Sequence, residues 1–467
     1  MVKQLLVEKL GPVKKCEINL GQETILLGKN NSGKTYISYL LYGMYKRIDK
    51  EKTKFLGKYL SDLIKERDSL TIRVDKKEIS KYLINAIVED LNTNLSKDLP
   101  LIFNASSKDF TETKITVSSS DFLDFLQSSL TRLDRTNEKF SLKGLQTTIK
   151  LDIKNEERFW ELTLEEMQLY FDNTHETNEQ QVDEAFLKVA LLFFTRRIFV
   201  IPNLIYIPAE RNGINVFRRE LSIKRSSKSF DIDSDSLSLE KYPLPIADYM
   251  KYLNGIDLEF AEKYSKENSR LTVWNKFSSA ILKGKYEYDA QQNEYYYREL
   301  YSSNEEKMKY RTKKIPLQIS SSSIKSLFGL EYYFKYLFSK GDILFIDEPE
   351  MNLDPENQVK FAAFLFELTR FGVKIIISSH SDYLIRATSN EILKARINNE
   401  DIDYKVKGYY FGPNDVQSIG DLSEVEYVDI FDDMNVQLED TYFLLKNKLH
   451  DQMEIKEGLN DGNNSKV

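Results

Sequence analysis

Between the apolar run Thr24 to Leu27 and an amphipathic stretch that opens at Lys34, the chain reads Gly28-Lys29-Asn30-Asn31-Ser32-Gly33-Lys34-Thr35. No other eight residues restrict the fold as much. A GxxxxGK[ST] loop works where a strand delivers the chain to a tight turn and a helix leaves it, because the N–H groups of the turn and of the helix start must converge on one anion. A buried strand at Glu23 to Leu27 and a helix from Lys34 to about Tyr45 meet that requirement. Shorter strands are expected before them, at Leu5 to Lys9 and Glu17 to Leu20. In this setting Lys34 reaches β and γ oxygens of a nucleotide and Thr35 ligates Mg²⁺, so ATP with Mg²⁺ is the expected ligand.

A second constraint lies far along the chain. Leu344-Phe345-Ile346 reads as a buried strand that ends in Asp347-Glu348-Pro349; a helix from Pro355 to Arg370 then leads to a second strand, Val373 to Ser378, ending at Ser379-His380. Strand, helix, strand is a crossover and implies a parallel sheet. Open α/β sheets bind ligands beyond the carboxyl ends of their strands. Asp347 is therefore placed to hold Mg²⁺ through water, Glu348 to orient or deprotonate an attacking water, and His380 to hydrogen-bond a γ-phosphate or that water. Each also has a plainer reading, as a solvated turn or a structural histidine. Their spacing, one crossover apart and with a phosphate loop upstream, favours chemistry.

The interval between these motifs is too long for a minimal nucleotide-binding head, and it lacks the sustained heptads of a coiled-coil arm. The expected division is a head at 1–45, 200–212 and 314–450; a first inserted lobe at 46–199, part of which could belong to the head; a second insert or lid at 213–313; and a polar, disordered tail at 451–467. Strands are expected at Lys114 to Val117, Thr147 to Ile153, Phe159 to Leu164 and Leu204 to Ile207. Helices are expected in the Lys-rich stretch that begins at about Lys46, at Val182 to Ile198, within Ile246 to Leu282, and at Ser323 to Ser339, with a Tyr-rich hairpin at Lys285 to Leu300. Ser222 to Glu240 reads as an exposed or mobile loop.

Composition narrows the chemistry. With 66 Lys and Arg against 73 Asp and Glu the net charge is −7, which argues against coating nucleic acid by bulk charge. Any such contact would be local, for instance at Lys46, Arg47, Lys50, Lys52 and Lys54 or at Arg218, Arg219, Lys224 and Arg225, although acids or serines interrupt both clusters and a solvated face is the commoner explanation. One cysteine, Cys16, and three histidines, His175, His380 and His450, leave no disulfide framework and no zinc or iron–sulfur ligand set. No signal peptide or membrane span is apparent, so a cytoplasmic protein without a membrane partner is expected.

These pieces resemble the ATP-binding-cassette type of head among AAA-family ATPases, in the group containing SMC, Rad50, RecF and overcoming-lysogenization-defect (OLD) proteins. The resemblance covers about residues 1 to 45 and 315 to 395. It rests on the Asn30-Asn31 pair, on IDEPEMNLDP, whose Asn352-Leu353-Asp354 is similar to a D-loop, and on SSHSDYLI as a histidine loop. It implies an α/β fold: a P-loop NTPase with an ABC-ATPase-like head and a large inserted α/β or helical lobe. It further implies nucleotide contacts from Gly28, Asn30, Asn31, Ser32, Gly33, Lys34, Thr35 and Asp354, with Glu348 and His380 in catalysis and Thr35 and Asp347 on the metal. In such heads a serine-containing signature binds the ATP of a partner head. Ser321, Ser322 and Ser323 hold that place, with a serine where the family has glycine, and they also suit a plain helix N-cap. A homodimer or higher oligomer of heads is implied, as is a separate effector, nuclease or toxin, because no toprim-like acidic constellation follows His380. Bacterial anti-phage defence is the setting the resemblance favours. The alternatives are a nucleotide-gated scaffold with little turnover and a RecF-type repair ATPase. The glutamine of the Q-loop is unassigned, and Glu210-Arg211 could face the nucleotide, face the insert or form an ion pair.

Overall fold

Apolar side chains on both faces of a strand require a sheet covered on both sides, and three strands have this character: β3 (Glu23–Gly28), β14 (Ile343–Asp347) and β15 (Lys374–Ser379) are buried along almost their whole length. In the computed structural model they join β9 (Leu204–Ile207), β16 (Val406–Phe411) and β17 (Val416–Gly420) in one sheet of order β17-β16-β3-β15-β14-β9. All neighbours run parallel except β17, which is antiparallel to β16. Asp347 lies beside Ser378, and Ser379 beside Leu27, so β3, β14 and β15 finish along a common edge. The structure describes residues 5–66, 71–118, 138–143, 147–156, 158–169, 179–194, 203–217, 242–254, 268–289, 291–292, 294–302, 308–310, 313–400, 406–413, 415–420, 422 and 440–447.

The edge is fed by three helices: α1 (Lys34–Lys65) leaves β3, α7 (Pro355–Arg370) connects β14 to β15, and α8 (Asp382–Ile397) follows β15. The helix expected to stop near Tyr45 runs on without a break to Lys65. Two causes are visible. The Lys-rich helix expected next is continuous with it, because its basic residues are paired: Arg47 with the distant Asp90 and Asp98, Lys46 with the distant Asp248 at 2.9 Å, and Lys52 with Asp49 of the same helix at 2.7 Å. Beyond it, Leu56, Leu60 and Ile64, four residues apart, keep one face buried.

That distal face enters a second core. β4 (Thr71–Asp75), β6 (Glu138–Lys143), β7 (Thr147–Asn155) and β8 (Phe159–Leu169) form an antiparallel sheet of order β4-β8-β7-β6. Leu60, Val74, Trp160 and Leu162 meet Phe186 and Val189 of α3 (Glu179–Phe193) in a cluster separate from the main core. The helix α2 (Lys76–Phe103) belongs to both: Ile79 and Leu83 lie in the second core, whereas Ile84 through Ile102 join the main one. With them goes β5 (Lys114–Val117), which pairs with the hairpin of β1 (Leu5–Leu10) and β2 (Val13–Ile18) in the order β2-β1-β5.

The hairpin of β10 (Gly284–Asp289) and β11 (Glu294–Ser302), with which the short β12 (Met308–Tyr310) and β13 (Ile315–Pro316) pair, shares the main core with α4 (Leu244–Asn254) and α5 (Asn268–Phe277). They surround α6 (Ser322–Tyr332), where Tyr286 and Tyr295 meet the edge of Phe328 at ring separations of 5.2 and 4.8 Å. The helix expected at Ser323 to Ser339 widens into a π turn over Tyr333–Leu337. This buries Tyr333 and Phe334 together, and Tyr333 Oη donates to Asp342 at 2.8 Å. Among the described residues, no helix is long and apolar enough to cross a membrane. Ser222 to Glu240, the tail, His175, His450 and the Arg218 to Arg225 cluster lie outside the described residues.

Candidate nucleotide-binding site

At the carboxyl end of β3 the backbone enters conformations that few residues tolerate. Gly28 has φ 148°, Asn31 φ 61° and Gly33 φ 101°. A Cβ on Gly28 would lie 2.7 Å from the Phe411 carbonyl, and one on Gly33 would lie 2.4 Å from Val13 Cγ2. The β1–β2 hairpin and β16 thus press the loop into a fixed curve. Gly33 caps α1 in a left-handed conformation and has no side chain to accept from the first N–H groups of the helix, which among the described residues have no side-chain cap. Ser32 Oγ is buried without a partner among the described residues.

Lys34 is 7% exposed, and its ammonium donates to the carbonyls of Gly28 and Lys29, both at 2.8 Å. Burial lowers its pKa, against the pull of Glu348, Glu350 and Asp347. Unused N–H donors, an unpaired hydroxyl and a partly desolvated cation at a helix start fit a polyphosphate. Thr35 is exposed at the same helix start. Among the described residues no three His, Cys, Asp or Glu converge as a complete metal site. Mg²⁺ typically takes one or two protein oxygens, with phosphate and water filling the remaining positions, which is the fit a Thr35–Asp347 pair would offer.

Asp347 ends β14 and is 3% exposed. Its carboxylate accepts from Ser378 Oγ at 2.6 Å and from Tyr206 Oη at 2.5 Å, and Tyr206 Oη also shares a 3.0 Å hydrogen bond with Ser38 Oγ on α1. Burial pushes Asp347 up to about 6, and the two hydroxyl donors hold it below what burial alone would impose. Glu348 follows with φ 47°, an unusual value for a residue with a full side chain that costs on the order of 1–3 kcal/mol. Its N–H donates to the Ser378 carbonyl at 2.9 Å. His380 Nδ1 stands 3.9 Å from Glu348 Oε1 and 3.7 Å from Glu350 Oε1, and the imidazole is 42% exposed.

Three side chains at this edge were not picked out from the sequence. Glu350 is 7% exposed; its Oε1 accepts from Ser379 Oγ at 3.0 Å and from the His380 N–H at 2.9 Å, while Oε2 has no partner among the described residues. Gln358 on α7 donates to the Leu353 carbonyl at 2.9 Å and accepts from Ser381 Oγ at 2.6 Å, tying the turn after β14 to the one after β15. Tyr206 is the third. Only the carboxylate two places beyond Glu348 had a readable signal; Tyr206 reads as one more apolar strand residue. Arg211, left open above, is buried and bonds backbone carbonyls instead of forming a side-chain hydrogen bond to an acid.

The structure brings Gly28, Ser32, Gly33, Lys34, Asp347, Glu348 and His380 to one edge, with Asn30, Asn31 and Thr35 in the same loop and helix start. Among the described residues, no hydrogen bond brings the serines there. Ser321 is the N-cap of α6: its Oγ accepts from the Ile324 N–H at 3.4 Å and lies 2.9 Å from Ser323 Oγ, and Ser322 is the first residue of the helix. Asp354 likewise caps α7, accepting from the Asn357 N–H at 3.0 Å, and that bond heads the causes holding its carboxyl below the usual range. Both are exposed.

A parallel sheet whose strands deliver a phosphate loop and a buried Asp347 followed by a half-buried Glu348 to one edge is a P-loop ATPase fold. A family model described as "AAA ATPase domain" matches residues 1–385, and the chain belongs to that family. Among solved structures it is similar to the Smc head domain of Pyrococcus furiosus bound to the C-terminal domain of ScpA, at 11% identity over 94% of this chain and 99% of that one, with a TM-score of 0.30. It is also similar to the SMC head domain from Thermotoga maritima, at 11% identity over 90% and 99%, with a TM-score of 0.27. Such low scores add nothing to the assignment, which rests on the family match and the site. No curated protein matches the sequence.

Proposed function

We propose that the chain is an ATP-hydrolysing head that pairs with a second head on ATP. The observation that carries this reading is the meeting, at one sheet edge, of an uncapped helix start bearing Lys34 with the buried Asp347 and the neighbouring Glu348. In this reading Gly28, Asn30, Asn31, Ser32, Gly33 and Lys34 bind the phosphates, Thr35 and Asp347 hold Mg²⁺, Glu348 takes the proton of the attacking water, and His380 contacts the γ-phosphate. Bound Mg²⁺ supplies charge neutralisation at the β and γ oxygens. Ser321, Ser322 and Asp354, exposed at helix starts, and the half-buried Ser323 beside them face the nucleotide of the second head.

Hydrolysis then separates the heads and alters access to DNA or to an effector such as a nuclease or toxin. The likeness of IDEPEMNLDP and SSHSDYLI to OLD proteins supports a role in anti-phage defence. The ion pairing of Lys46, Arg47 and Lys52 leaves the first basic cluster a poor nucleic-acid patch. Phosphate release by the purified protein, with Lys34→Ala as control, tests the ATPase. Light scattering of Glu348→Gln in ATP tests the pairing: a doubled mass is expected, and a monomer at saturating ATP refutes it. A nucleotide-gated scaffold is the outcome if ATP binds with no turnover above the Lys34→Ala rate.

A further inference from the structure

Arg211 has no task in the chemistry above, yet it is among the most deeply buried charged residues of the head, at 1% exposure. Its Nη1 donates to the carbonyls of Pro208 at 3.1 Å and Asp347 at 2.8 Å, and its Nη2 to those of Glu348 at 2.8 Å and Met351 at 3.5 Å. Guanidinium donors lie in one plane at fixed angles. The carbonyls of Asp347, Glu348 and Met351 can therefore be satisfied together only if the turn after β14 curls around that plane.

Glu348 sits at the centre of the curl with φ 47°. Such a conformation persists only where the surroundings over-determine it. Here the Glu348 N–H is held by the Ser378 carbonyl of β15 at 2.9 Å and its carbonyl by Arg211, so both peptide groups are pinned and only the side chain is free to move. Relaxing Glu348 to an ordinary φ would turn its carbonyl away from Nη2 and swing its Cβ off the edge. Arg211 is anchored in turn: four residues on, Asn215 Nδ2 donates to the Lys325 carbonyl of α6 at 2.8 Å, and Asn215 Oδ1 accepts from Tyr249 Oη at 2.7 Å.

We propose that Arg211 is the positioning residue that holds the Glu348 carboxylate toward the nucleotide edge through the backbone of the turn. This rests on the reading of Glu348 as the base for water. A lysine at this position keeps the charge, but its tetrahedral ammonium cannot span the same set of carbonyls.

The test uses the full chain with Arg211→Lys, and with Arg211→Gln as a second variant that buries no charge, each made in the native and Glu348→Gln backgrounds. Single-turnover phosphate release and binding of a fluorescent ATP analogue are measured. In the native background each variant is expected to lower turnover at least about tenfold with nucleotide affinity held within about twofold, and to change the residual Glu348→Gln rate by less than about twofold, since residues acting as one unit are not additive. Native turnover in Arg211→Lys overturns the proposal. So does an equal loss in both backgrounds, or loss of the thermal transition in both variants, either of which makes Arg211 a residue of general stability. A native protein that releases no phosphate defeats the hydrolysis reading instead, which keeps the two failures apart.

Discussion

Replacing Glu23 by glutamine should make the protein more stable in mild alkali. Glu23 opens β3 at the end opposite the phosphate loop, is 0% exposed, and neither carboxylate oxygen has a hydrogen-bond partner among the described residues. Burial pushes its pKa from 4.5 up to about 8. The folded protein then holds a proton that the unfolded chain gives up near the ordinary value, so the contribution to stability is fully present below about pH 4.5 and is lost as pH rises toward 8. The distance from 4.5 to about 8, at about 1.36 kcal/mol per pH unit, sets a ceiling of roughly 5 kcal/mol, and a few kcal/mol is the expected size. Urea unfolding of native and Glu23→Gln protein at intervals from pH 5 to 9 reads it. The two should agree within about 1 kcal/mol at pH 5, and the variant should gain steadily until it leads by a few kcal/mol above pH 8. A native-minus-variant difference that is flat, or that rises with pH, would refute the claim of an unpaired buried carboxyl.

Tyr206→Phe removes one buried hydroxyl and with it a bond to Asp347 and one to Ser38; a loss of about 1–3 kcal/mol in urea midpoint analysis is expected, and a change under about 0.5 kcal/mol would mean the network is not formed. Gly33→Ala meets Val13 Cγ2 at 2.4 Å on a backbone at φ 101°, so fluorescent-nucleotide titration should show binding weakened at least about tenfold; unaltered affinity would mean the loop is not held by the hairpin. Leu60→Ala in the second core should cost about 2–5 kcal/mol in thermal or urea unfolding while leaving nucleotide affinity within about twofold. Weakened binding there would show that the second core and the phosphate end are energetically one unit.

What could be read in advance was whatever local pattern decides. β5, β9 and α7 occupy the expected residues, because alternation, a following proline, or an Asp-Pro cap with a terminal Arg bounds each one. The site loop was legible for the same reason, since its glycines, Lys34 and Thr35 are consecutive. The rest depends on neighbours distant in sequence. Tyr206 gains its meaning only when β9 lies beside β14 and α1 crosses both. The reach of α1 past Tyr45 depends on Asp90, Asp98 and Asp248, acids on other helices that no periodicity links to Arg47 or Lys46. Arg211 was legible as unusual and not as a clamp, because the groups it holds are carbonyls, which carry no residue signature.

The unbroken α1 has a mechanical consequence. At about 1.5 Å per residue, 32 residues make a rod of roughly 48 Å whose first turn closes the phosphate loop and whose last turns lie among Trp160, Leu162 and Phe186. If the phosphate end tilts by about 5° as a nucleotide is gripped or released, the far end of such a rod travels about 4 Å, the width of a side chain. The second core is thus placed as the needle of a gauge: fluorescence energy transfer between a dye near Ile64 and one on α8 would read the state of the phosphate loop without touching it. A deletion of 46–199 spliced at Tyr45 would cut the rod instead of removing a separable part.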